Sequence, residues 1–176
     1  MDFSLFETEF GCCAIIGKGG QLVKIIPFFE EKEGLYSLIY REYKGIAFCH
    51  GCFGEIQERI ERYLSGEKVN FDFPVDFSRY TMFQRKTWEV TQSIPYGEIR
   101  TYKWVSQMIA NSRSYRAVGS ALRKNPFPLL VPCHRVIRSN GELGGYSAIG
   151  DINIKARLLK MEGHQFDSKR RVNIFF

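Results

Sequence analysis

Residues 101–126, TYKWVSQMIANSRSYRAVGSALRKNP, decide the reading of this chain. Thr101 is placed to cap a helix over 102–111 whose apolar positions include Trp104, Val105, Met108 and Ile109. Asn111 or Ser112 can then cap a further helix reaching about Arg123, because Val118 and Leu122 share a face and Asn125-Pro126 disfavours continuation. Two short helices joined by a tight turn predict a helix-turn-helix.

Upstream, residues 81–93 read as a helix stopped by Pro95 and Gly97. Before it, residues 70–78 carry Pro74 and alternate Phe with Asp, so a domain boundary is expected after Asp76. Nearer the N-terminus, two apolar runs, Cys-Cys-Ala-Ile-Ile from Cys12 and Leu-Val-Lys-Ile-Ile from Leu22, flank Gly17-Lys18-Gly19-Gly20 and predict a β-hairpin. Ile56, Ile60, Tyr63 and Leu64 share a face of an amphipathic helix ended by Gly66, which should pack on that sheet. Downstream, Leu129-Leu130-Val131 between Pro128 and Pro132 should be extended and buried, and Asn140-Gly141 signals a turn. A last helix over 152–161 ends at Glu162-Gly163. The expected class is α+β: residues 1–76 form a small antiparallel sheet with a helix, as a scaffold, and residues 77–176 form a mostly helical domain.

An apolar content of 44% with 15% aromatic residues in 176 residues supports a buried core and excludes a disordered chain. Charge divides sharply at the boundary. Residues 1–76 carry 8 Lys and Arg against 13 Asp and Glu, net −5; residues 77–176 carry 17 against 6, net +11. Only the second half resembles a polyanion binder, although a solvated basic surface explains charge alone equally well. No stretch approaches the roughly 20 apolar residues that span a bilayer, and the N-terminus lacks a secretory pattern. The expected location is therefore the cytoplasm, or the nucleus in a eukaryote, with no membrane partner.

Five cysteines are present: Cys12, Cys13, Cys49, Cys52 and Cys133. Cys133 stands in Pro132-Cys133-His134-Arg135, where two neighbours can stabilise a thiolate, the form that acts as nucleophile. A cysteine after a buried apolar run is more often a packing residue, and the adjacent His and Arg shift that balance. The imidazole needs a partner to hold its tautomer, for which Glu162 is a candidate. Cys49-His50-Gly51-Cys52 with Cys12 and Cys13 offers thiolates and an imidazole, but adjacent cysteines on a strand point to opposite faces and the spacing suits zinc poorly. Cys49 and Cys52 read equally as buried thiols or a redox pair.

Phe83-Gln84 with Trp88, Ile94-Pro95-Tyr96-Gly97-Glu98, Thr101-Tyr102, Arg116-Ala117-Val118-Gly119, Asn125-Pro126, Pro132-Cys133-His134-Arg135-Val136 and Gly145-Tyr146-Ser147 follow one another in an order and spacing that resemble the O6-alkylguanine-DNA alkyltransferase family. The resemblance covers Phe83 to about His164. It implies irreversible, single-turnover transfer of an alkyl group from O6-alkylguanine in duplex DNA, with O4-alkylthymine as a second candidate substrate. Cys133 would be the acceptor, His134 the base acting through a water, Glu162 the carboxylate orienting it, and Tyr102 a donor to the departing guanine.

By the same resemblance, Tyr146, Ser147, Val136 and Asn125 would form the base site. Arg116 would intercalate, and Ala117, Gly119, Ser120, Arg123 and Arg135 would contact DNA. For Arg116 a plain phosphate contact is the alternative, and for Asn125 a plain helix stop. Small residues at Ala117, Gly119, Ser120 and Ala121 suit close approach to a groove without base readout, as a search for damage requires. Residues 148–151 are longer than in many relatives, which loosens the match of Lys155 and Glu162. A monomer with no cofactor and no metal is expected.

Two other functions use part of this pattern. A cysteine hydrolase wants Cys, His and a carboxylate but has no role for a basic helix-turn-helix. A transcription regulator or non-reactive damage sensor explains the basic half but leaves Cys133-His134 unused.

Overall fold

The structure, a computed structural model, describes residues 1–109, 114–146 and 152–172. The chain forms two compact units, Met1–Arg79 with Pro126–Pro128, and Tyr80–Asn125 with Leu129–Phe176.

In the first unit, β1 (Asp2–Thr8), β2 (Gly11–Lys18), β3 (Gln21–Phe29) and β4 (Ala47–Phe48) form a sheet in the order β3-β2-β1-β4. The β2–β3 hairpin is the one expected, and its turn shows why: Gly19 and Gly20 sit at φ +57° and +79°, which only residues without a Cβ adopt cheaply. The sheet is not wholly antiparallel, since the short β4 runs parallel to β1. The helix α1 (Lys32–Glu42), which lies between β3 and β4, supplies the crossover that a parallel neighbour requires.

The central strand β2 is buried on both faces. Cys12, Ala14 and Ile16 pack with Leu35 and Ile39 of α1, while Cys13 and Ile15, on the opposite face by strand alternation, are also fully covered or nearly so. The helix α2 (Gly54–Leu64) packs against β1 and buries Ile56, Ile60, Tyr63 and Leu64, the predicted stripe. Leu22 donates to the Pro74 carbonyl and accepts from the Asp76 amide, and Ile25 donates to the Pro126 carbonyl, so β3 does not present a bare edge. Phe77 meets Phe127 edge to face at 5.5 Å, which explains why residues 126–128 belong to this unit.

In the second unit, α3 (Met82–Gln92) lies within the predicted 81–93 span, and the structure adds a capping box at Thr81 closed by Gln84, with Ser93 as the C-cap. The buried Trp88 donates its indole N–H to the Ala121 carbonyl at 3.0 Å. That bond ties α3 to α5 (Tyr115–Arg123), and α4 (Tyr102–Met108) packs on α5 as well. Thr101 caps α4 as expected, accepting from Trp104, but α4 ends at Met108 rather than near Asn111. Ser114 is the residue before α5; Asn111 and Ser112, the caps proposed from sequence, lie outside the described residues.

Leu129, Leu130 and Val131 are buried as expected, yet not extended throughout: Leu129 has φ +76° and sits in a turn. The chain then passes through one 3-10 turn, Cys133–Arg135, into β6 (Val136–Ile137), which pairs in parallel with β5 (Arg100–Thr101). The last helix, α6 (Ile152–Met161), buries Lys155, Leu158 and Leu159.

Candidate active site

The β5–β6 ladder sets the site. Pairing of Thr101 with Ile137 holds the start of α4, and hence Tyr102, beside the segment that carries Cys133. The 3-10 turn is closed by bonds from Arg135 N–H to the Pro132 carbonyl and from Val136 N–H to the Cys133 carbonyl. It divides three consecutive side chains between two surroundings: Cys133 lines a cavity, whereas His134 and Arg135 are buried against Glu162.

Cys133 is 5% exposed. The Asn125 amide nitrogen donates to the Val131 carbonyl at 2.9 Å and lies 3.4 Å from the Cys133 sulfur. An N–H directed at sulfur favours a thiolate over a thiol. Asn125 therefore ties the end of α5 to the nucleophile's segment and does more than stop the helix.

His134 Nε2 lies 3.0 Å from Glu162 Oε1, both side chains being fully buried. Burial pushes the imidazole below its ordinary range, against the opposing pull of Glu162. For Glu162, burial pushes the carboxyl up, but the hydrogen bonds from His134 and Arg135 outweigh it and hold the group well below the carboxylate range. The pair is thus a neutral imidazole facing a carboxylate. Glu162 accepts the proton on Nε2, which leaves the lone pair on Nδ1 as the basic nitrogen.

Arg135, expected among the DNA contacts, is 8% exposed and committed elsewhere. Its Nε donates to both Glu162 oxygens at 3.1 and 3.0 Å, one terminal nitrogen donates to Oε1 at 2.8 Å, and the other donates to the Ile94 carbonyl at 2.7 Å. The 94–98 segment earns its place here. Ile94 supplies that carbonyl, the Gly97 amide donates to Glu162 at 3.3 Å, and the Tyr96 ring lies 5.7 Å from the guanidinium. A buried carboxylate needs this many donors to remain charged, and the requirement draws Arg135 inward.

The cavity, of about 1180 Å³, is bounded by Tyr102, Cys133, Gly144, Gly145 and Tyr146 and by one face of α5. Tyr146 is buried, and the Tyr102 hydroxyl donates to the Gly145 carbonyl at 3.4 Å. Burial first, and the neighbouring Cys133 second, push the Tyr102 hydroxyl up to about 12, so it stays a proton donor. A Cβ on Gly144 would stand 2.9 Å from that hydroxyl oxygen, and Gly144 has φ +69°. The position therefore demands glycine on two grounds. Ser147 lies outside the described residues.

Lys103, Arg116, Arg123, Lys124 and Arg138 are the charged residues among the described lining, all cationic. On α5, Arg116, Ala117, Ser120 and Arg123 are exposed and Gly119 is half-buried, so the face beside the cavity is small-sided and basic at its ends. Val136 is fully buried and its carbonyl accepts from Lys155 Nζ at 2.6 Å; a carbonyl has a second lone pair for a base.

Lys155 itself is absent from the sequence-derived set of site residues. Fully buried on α6, it donates to the Val136 and Leu143 carbonyls at 2.6 Å each and lies 5.9 Å from the Tyr102 ring centre. Burial pushes its ammonium down to about 8. The signal was present: Lys155 shares the apolar stripe of α6 with Leu158 and Leu159, where a solvated lysine has no place.

Residues 82–164 match the family described as 6-O-methylguanine DNA methyltransferase, DNA binding domain. Over 171 residues, 95% of this chain and 98% of the relative, the chain is 37% identical to the constitutive methylated-DNA–protein-cysteine methyltransferase of Bacillus subtilis. It is 43% identical over 111 residues, 63% of this chain and 69% of the relative, to the methylated-DNA–protein-cysteine methyltransferase of Methanosarcina acetivorans. Among solved structures, Mycobacterium tuberculosis OGT in complex with DNA superposes with a TM-score of 0.80 at 31% identity, covering 92% of each chain. With 37% identity over 98% of the Bacillus subtilis relative and an α+β architecture shared with the solved structure, this chain belongs to the methylated-DNA–protein-cysteine methyltransferase family.

Proposed function

We propose that this protein repairs DNA by transferring an alkyl group from O6 of guanine to Cys133, once per molecule. The observation that carries the reading is the placement of Cys133 on a cationic cavity, with an Asn125 N–H directed at its sulfur and its neighbour His134, in the same turn, buried against Glu162. His134 Nδ1, acting through a water, takes the thiol proton. The thiolate attacks the saturated alkyl carbon, an S–C bond forms as the C–O bond breaks, and the electron pair remains on the base. No oxyanion hole is needed at a saturated carbon; what helps is a proton donor to the departing guanine, the role assigned to Tyr102.

A base inside a duplex keeps O6 out of reach, so the nucleotide is flipped at a cost of a few kcal/mol. The exposed face of α5 is suited to lie in the minor groove, with Arg116 filling the gap and Arg123 contacting the backbone. Tyr146 forms a wall of the base pocket, and the carbonyls of Cys133 and Val136 read the guanine amine. The first unit serves as scaffold, and the protein acts as a monomer. An S-alkyl thioether is a poor leaving group, so the product is an inactive alkylated protein.

The test is intact mass after incubation with duplex DNA containing O6-methylguanine, beside Cys133→Ala and an unmodified duplex. A gain of one methyl, mapped to Cys133 in the wild type only, is expected. Tight binding without methyl gain would leave a damage sensor, and neither binding nor gain would refute the repair reading.

A further inference from the structure

Cys49 and Cys52 form a disulfide across Cys49-His50-Gly51-Cys52, with their Cα atoms 5.7 Å apart. Its surroundings differ from those of the other cysteines. Cys12 and Cys13 are buried in the sheet, and burial pushes the Cys13 thiol up to about 11. Cys52, His50 and Gly51 are exposed and Cys49 is half-buried. Beyond their own chain neighbours and helix backbone, nothing lies within 4 Å of a Cβ built on Gly51 or Gly54, so no other element crowds the segment on either side of the exposed Cys52.

The pair joins the end of β4 to the start of α2, an eleven-residue helix whose first residue is Gly54. Cys52 precedes that helix N-terminus by two residues, where the backbone dipoles favour a thiolate. Glu55, the acid of the first turn, is engaged by Arg59 at 3.1 Å. The bridge is also dispensable for holding its own segment. Ala47 donates to the Met1 carbonyl at 3.2 Å and Cys49 to the Phe3 carbonyl at 2.8 Å, so β4 stays docked on β1 whether or not the sulfurs are joined. A bond closing so short a loop removes little chain entropy from the unfolded state.

We propose that Cys49-His50-Gly51-Cys52 is a thiol–disulfide exchange site that accepts two electrons from a dithiol and returns them to a disulfide, without involvement of Cys133. A thiolate of the dithiol attacks the exposed Cys52 sulfur and Cys49 leaves as a thiolate that takes a proton. The second thiol of the reagent then displaces Cys52, leaving two protein thiols and the oxidised reagent. In the reverse direction the Cys52 thiolate attacks the incoming disulfide.

The experiment uses the full-length native protein with dithiothreitol as dithiol and oxidised glutathione as disulfide, trapping thiols with iodoacetamide and mapping the labelled peptides. Cys49 and Cys52 should pass together from unlabelled to labelled on reduction and back on oxidation, while Cys12 and Cys13 stay unlabelled. In Cys49→Ser, Cys52 should accumulate a glutathione mixed disulfide about tenfold faster than Cys49 does in Cys52→Ser, following exposure and thiolate character. Circular dichroism of both variants should be native. Labelling of the pair before any reductant, or only after denaturation, would overturn the proposal, as would equal rates in the two single variants.

Discussion

Replacing Arg135 by Met separates two roles that a basic residue beside the nucleophile can play. In the structure the guanidinium makes three hydrogen bonds to the buried Glu162 carboxylate and one to Ile94. Arg135→Met keeps a long apolar stem but deprives the carboxylate of its guanidinium partner, with His134 and the Gly97 amide remaining among its donors. Breaking a buried pair from one side costs about 3–5 kcal/mol. For a chain of about 150–250 residues each kcal/mol is worth about 2–4 °C, so Tm should fall by about 6–20 °C.

The pH dependence should move as well. In the wild type the Glu162 carboxyl is depressed, so its stabilising contribution is present above the ordinary carboxylate pKa and is lost as pH falls through the depressed value. Without Arg135 the depression shrinks and acid unfolding should begin at a higher pH. Adding Glu162→Gln removes the stranded charge and should recover part of the loss. The assay is thermal denaturation of wild type, both single variants and the double variant across acid pH, with DNA affinity measured against salt. An unchanged Tm, with the salt dependence of DNA binding reduced by about one phosphate contact, would refute the buried-pair account and return Arg135 to the DNA surface.

Tyr102→Phe removes a hydroxyl that is held protonated at all working pH, and should slow alkyl transfer about 10²-fold in single-turnover assays with DNA affinity little changed; an unaltered rate would remove Tyr102 from the chemistry. Gly144→Ala places a Cβ 2.9 Å from the Tyr102 hydroxyl at a positive φ, and should cost about 1–2 kcal/mol in denaturant titration while slowing transfer. Lys155 is depressed to about 8 from the ordinary lysine value, so the unfolded chain binds the extra proton and stability should rise with pH from about 8 to about 10.5. The Tm difference between wild type and Lys155→Met should therefore change across that window; a flat difference would show that the ammonium is not buried as described.

Much of the fold was legible locally. Thr81 with Gln84 and Thr101 with Trp104 announce helix starts because a short polar side chain must satisfy an orphan N–H, and Gly19-Gly20 announces a turn because it needs positive φ. The helix α1 escaped notice, since only Leu35 and Ile39 of its eleven residues are buried and no side chain caps it. Leu129 was misjudged for a related reason: flanking prolines argue for extension, but a left-handed leucine reflects packing that no neighbouring residue encodes.

For the site, the chain by itself offered Cys133 as a candidate nucleophile beside His134, with Glu162 as a candidate partner carboxylate, because those residue types carry that chemistry, and the charge contrast at the boundary singled out the half that resembles a polyanion binder. Tertiary structure decided where each charge goes. Glu162 ends up inside, and a carboxylate removed from water must gather donors from wherever the fold supplies them, so Arg135, a surface cation by type, is drawn in with the amide of Gly97. Lys155 likewise bridges two carbonyls separated by seven positions in sequence, Val136 and Leu143, a partnership that exists only once β6 and α6 have met. Desolvation is a property of the folded surroundings and not of the residue, which is why the pairings of buried charges could not be read from their order along the chain.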